Sequence, residues 1–139
     1  MPIVAALLVV ASAGIVLALG LIHLLYTLRG RNLEPRDANL LRSMMQAHPV
    51  ITRGTTMWRA WVGFNATHSL GLILFALVYG YLALAAPRLL MVPGFLGIVG
   101  LVALLAYAVV AHRYFFTRPF HAVLLATALY IAGLIGMML

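Results

Sequence analysis

Apolar residues run in four long, nearly unbroken stretches, at about 3–28, 57–86, 89–111 and 119–139, with the charged residues gathered between them. Each stretch meets or exceeds the roughly 20 residues that a helix needs to cross a hydrocarbon core. The pattern predicts an all-α integral membrane protein. Its expected architecture is an up-down bundle of four transmembrane helices forming one domain over residues 1–139. Pro87-Arg88 makes the turn between the second and third spans, Pro93 lies near the start of the third, and Pro119 opens the last. Ala11-Ser12-Ala13 has the small side chains of a leader cleavage site. No Lys or Arg precedes it, however, and the apolar run continues to Leu28, which predicts a retained span.

The loop at 29–56 is the longest polar segment. Around a helix near 36–47, Leu40, Leu41, Met44 and Met45 share one side, while Arg36, Asn39, Arg42 and Gln46 share the other. That predicts a short amphipathic helix on the membrane surface, with Pro35 in its first turn and His48-Pro49 ending it. Thr55 or Thr56 is placed to cap the second span.

Small residues recur at close-packing spacing on every span: Gly14 with Ala18; Gly63, Thr67 and Gly71; Gly94, Gly97, Gly100 and Ala103; Ala128, Ala132 and Gly136. This is more than a single bundle would use and points to a homo-oligomer, most simply a dimer. The glycine edge of the third span or the alanine edge of the last is its expected seam.

The stretch Trp58-Arg59-Ala60-Trp61-Val62-Gly63-Phe64-Asn65-Ala66-Thr67-His68 concentrates the candidate chemistry. Trp61, Asn65 and His68 stand at i, i+4 and i+7, which is one helical face. Counting at 1.5 Å per residue puts His68 ~13 Å inside the boundary marked by Arg59, and His23 ~9 Å inside the one marked by Arg29. Uncompensated polar groups at such depth are costly, so this face is expected to look inward, with His23 approaching from the first span. Trp61 is expected to line an entrance on the cytoplasmic side, beneath Leu40 and Met44. His121 and Arg118, at the start of the last span, and Arg59 are further candidates for meeting the ligand's head.

Charge sets the orientation. All nine basic residues are arginine, and Glu34 and Asp37 are the only acids. Arg29, Arg31, Arg36, Arg42, Arg53, Arg59, Arg113 and Arg118 fall on one side, against Arg88 on the other. That bias predicts cytoplasmic segments at 29–56 and 112–118 and termini on the outside, as in a bacterial inner membrane. The net charge of +7 is set beside apolar spans, which indicates anionic lipid rather than nucleic acid as its counterpart.

The spans carry no carboxylate, which argues against pumps and cation exporters built on an intramembrane acid. The chain has no cysteine, HExxH, phosphate-binding loop, dinucleotide fingerprint or serine elbow. The expected function is binding of a lipid-like or quinone-like molecule, a hydrophobic compound with a polar head, by His23, Asn65 and His68, with His68 as the acid/base candidate. Three other readings stay open: an oligomeric channel or transporter module lined by Asn65, Thr67 and Ser69, a b-type haem or metal subunit ligated by His23 and His68, and a structural or accessory subunit.

Overall fold

Lipid supplies no hydrogen bonds to a peptide group, so an apolar chain in a membrane folds by closing its backbone bonds within each segment. A computed structural model of the chain describes residues 2–91 and 94–139, and within them every regular element is helical. Four helices are long and apolar enough to cross a membrane: α1 (Pro2–Arg29), α3 (Met57–Ala85), α5 (Phe95–Tyr114) and α6 (Thr117–Met138). Two short helices, α2 (Ala38–Gln46) and α4 (Arg88–Met91), lie between them.

The chain divides into two compact units. One joins the residues up to Leu19 with Leu72–Leu139 and is a four-helix bundle made from the first part of α1, the last part of α3, α5 and α6. At its centre Tyr130 is wholly buried and its hydroxyl donates to the Gly97 carbonyl at 3.2 Å. Tyr79 stands edge-on to the Tyr130 ring, stacks on Phe75 and donates to the Leu96 carbonyl at 3.0 Å. Ser12, also wholly buried, donates to the Ala126 carbonyl at 2.7 Å and so ties α1 to α6.

Glycine makes this approach possible. A Cβ on Gly100 would run into the Tyr130 hydroxyl, and one on Gly133 would meet Val9 at 2.6 Å. The glycine edge of the third span is therefore filled from within this unit, which removes it as the expected seam between copies. Ala128 and Ala132 remain exposed, as do Gly14 and Ala18.

The second unit, Gly20–Gly71, contains the end of α1, the polar segment with α2, and the start of α3. Asp37 caps α2 by accepting from the Asn39 N–H at 2.8 Å, so the helix begins after Pro35 rather than on it. No residue of α2 is buried, and Leu40 and Met45 stay about half exposed. After α2, Met57 N–H reaches back to the Ala47 carbonyl, and the His48 Nδ1–H donates to the Thr55 carbonyl. Thr56 is the cap of α3, accepting from the Arg59 N–H.

The third span differs from its expected limits of 89–111. Gly94 takes φ +84°, a left-handed conformation that no helix continues through, so α5 starts at Phe95 and extends to Tyr114. The expectation for Pro93 lies outside the described residues. The last span starts two residues before Pro119, which occupies the first turn, where a missing N–H removes no helical bond.

These contacts separate two glycines that the sequence treats alike. Gly100→Ala forces Tyr130 from its site and should cost about 1–3 kcal/mol, the usual penalty of overpacking. A Cβ on Gly63 meets nothing within 4 Å, so Gly63→Ala should be neutral or stabilise the helix by roughly 0.5–1 kcal/mol. Thermal unfolding in detergent checks the pair, and equal midpoints for both variants would contradict the packing described.

Candidate functional site

The second unit brings His23, Asn65 and His68 together. The Asn65 side chain is oriented by its own helix, because its Nδ2 donates to the Trp61 carbonyl one turn earlier at 2.8 Å. That leaves Oδ1 turned toward α1, where it lies 2.9 Å from Nε2 of His23. An amide oxygen only accepts, so His23 carries a proton on Nε2, and in the neutral ring Nδ1 is then the acceptor. The His68 ring meets His23 edge to face, with centroids 5.2 Å apart and planes at 80°. All three residues are half-buried.

Neighbouring polar groups fix the backbone around this trio. Thr27 donates to the His23 carbonyl at 2.8 Å, and Ser69 to the Asn65 carbonyl at 3.0 Å. Thr67 donates within its own helix, to the carbonyls of Gly63 and Phe64. The hydroxyl protons of Thr67 and Ser69 are thus engaged by α3 itself.

Trp61 does something that residue spacing does not reveal. Its indole N–H donates to the Leu33 carbonyl at 3.1 Å, pinning the segment that follows α1 against the start of α3. A recess beside Asn65 is lined by Tyr26, Thr27, Leu33, Glu34, Trp58 and Trp61, with neither Leu40 nor Met44 on its wall. This recess is lined by Trp61 as expected, beside Leu33 and Glu34. Its volume of about 10 Å3 has room for a single water molecule, far below that of a ligand's head.

Arg59 is exposed in the first turn of α3. Arg118 and His121 belong to the bundle unit, exposed at the start of α6, where His121 neighbours Phe120, and Phe120 in turn packs on His112. Sequence reasoning missed Phe120 and the Leu33 carbonyl. The first reads as one more interfacial aromatic, and the second is a backbone atom that carries no residue signature.

A porphyrin held by two imidazoles lies between them; in this structure the two rings meet edge to face and Nε2 of His23 is engaged by Asn65. Among the described residues no group of three or more His, Cys, Asp or Glu gathers as metal ligands would.

The hydrogen-bond chain predicts a tautomer. Nitrogen NMR of histidine-labelled protein should show His23 protonated at Nε2 and bare at Nδ1, and Asn65→Leu should remove that preference. A His23 signal with the proton on Nδ1 would contradict the geometry. Comparisons with protein-family models, with curated proteins and with solved structures return no match for this chain.

Proposed function

We propose that this integral membrane protein binds the polar head of a lipid-like or quinone-like molecule at His23, Asn65 and His68, in the cytoplasmic half of a bacterial inner membrane. The observation that carries the reading is the His23–Asn65 hydrogen bond set against His68. A primary amide offers two donors and two acceptor lone pairs, and the bonds to Trp61 and His23 use one of each. One N–H, one amide lone pair and the imidazole Nδ1 remain to recognise a head that both accepts and donates. A quinone carbonyl takes the N–H, and the hydroxyl of its reduced form gives its proton to an imidazole. His68 is the acid/base group in this reading, since imidazole is the side chain that exchanges protons near neutral pH.

The one-water recess argues against a ligand enclosed beside Asn65. The head instead reaches the trio from the lipid-facing side, where Phe64 and Trp61 are exposed. The arginine bias supports cytoplasmic 29–56 and 112–118 segments with both termini outside. The uncovered Ala128/Ala132 edge of α6 supports a homodimer with its seam there.

A photoreactive short-chain benzoquinone, with digestion and mass spectrometry to map the labelled residues, tests the ligand reading. Labelling should concentrate near residues 23 and 61–68. Asn65→Leu should reduce it about tenfold, the order expected for one lost hydrogen bond in a dry site. His68→Ala should abolish it while the protein stays folded, and His121→Ala should have a smaller effect. Labelling that ignored both Asn65 and His68 would end the proposal.

Because the chain has no cysteine, single replacements report cleanly on the rest. Ser43→Cys should react with an impermeant thiol reagent only after the membrane is opened, and Ala132→Cys should form a disulfide dimer in native membranes. Outside reactivity at position 43 would reverse the orientation, and a monomeric Ala132→Cys protein would remove the seam.

A further inference from the structure

At the turn between α5 and α6 the bundle unit has a second feature, which the His23–Asn65–His68 reading does not use. An open groove runs along α5 over Leu105, Ala108 and Val109 and ends at His112, Arg113 and Phe120. From 105 to 113 these positions follow i, i+3, i+4, i+7 and i+8, a single stripe about 12 Å long on one helix. Ala108 is buried and small, so it forms a dent between the exposed Leu105 and Val109. One wall near the turn is fixed by Phe120, whose ring lies 4.9 Å from that of His112.

The two ends of the groove differ in chemistry. Its floor is purely aliphatic, while Arg113 stands exposed at its head, with Arg118 and His121 exposed around the same turn. No acidic residue occurs anywhere from 38 to 139, so this turn has no carboxylate of its own unit to neutralise it. A cationic head on an aliphatic stripe, at the end of a membrane-length helix, matches one amphiphile in shape and sign. We infer that the groove holds an anionic glycerophospholipid, its phosphate at Arg113 and His112 and one acyl chain along Leu105, Ala108 and Val109. Arginine suits the phosphate because its planar fork bonds two oxygens at once. Exposed aliphatic residues alone would contact any bulk lipid, so the dent and the cations together are what distinguish a bound lipid from its neighbours.

The full-length protein in nanodiscs of equal phosphatidylglycerol and phosphatidylcholine, released intact into a mass spectrometer, tests the inference by the lipids it retains. Phosphatidylglycerol should be retained preferentially. Arg113→Gln should lower that retention about fivefold, the effect of one cation at a membrane surface, without changing phosphatidylcholine. Val109→Trp should also lower it by filling the stripe. Val109 is 61% exposed, so this variant leaves the core intact and reads the groove even if Arg113→Gln folds poorly. Arg88→Gln should have no effect. Equal retention of the two lipids by the natural protein would overturn the inference. So would equal losses in Arg88→Gln and Arg113→Gln, or unchanged retention in Val109→Trp.

Discussion

A polar side chain inside hydrocarbon has no water to fall back on, and that constraint organises both units of this protein. Ser12, Tyr79 and Tyr130 each donate to a carbonyl of another helix in the bundle unit, and Thr127 to one of its own. In the second unit Thr27, Thr67 and Ser69 return their protons to their own helices, and Asn65 satisfies its helix and His23 at once. Among the described residues no buried side-chain nitrogen or oxygen lacks a partner. Helix association in lipid has no hydrophobic drive comparable to that in water, so these bonds and close packing hold the helices instead.

Close packing explains why glycine and tyrosine occur as complements. Gly100 removes a side chain where Tyr79 and Tyr130 bring large ones, Gly97 leaves room for the Leu90 carbonyl, and the hydroxyl of each tyrosine ends on a carbonyl of the first turn of α5. The ring thus fills the space that glycine leaves, while its polar tip is satisfied without water. The left-handed Gly94 sets where α5 begins, and so places Leu96 and Gly97 within reach of those hydroxyls.

The second unit uses the same rule to a different end. Asn65 is held by the Trp61 carbonyl, which aims its oxygen at His23, and His23 packs on His68. Trp61 in turn anchors the chain after α1 through Leu33. The result is a set of donors and acceptors whose orientation is fixed by contacts to the backbone.

The sequence by itself determined the helical class, the four membrane-length segments and the face shared by Trp61, Asn65 and His68. Each of these follows from length, hydropathy or the 3.6-residue period, which are properties of one segment at a time. It also marked His23 as the polar residue of α1 at comparable depth. Only the tertiary structure decided that His23 and Asn65, 42 positions apart, would meet at Nε2 and Oδ1, because helical phase does not say which way a neighbouring helix turns. The same holds for the small-residue faces: Gly100 and Ala128 look equivalent in spacing, yet one is filled by Tyr130 and the other is open. The carbonyls of Leu33, Gly97 and Ala126 were invisible for a further reason. A backbone acceptor has the same chemistry at every residue, and its role is set by what the fold carries to it.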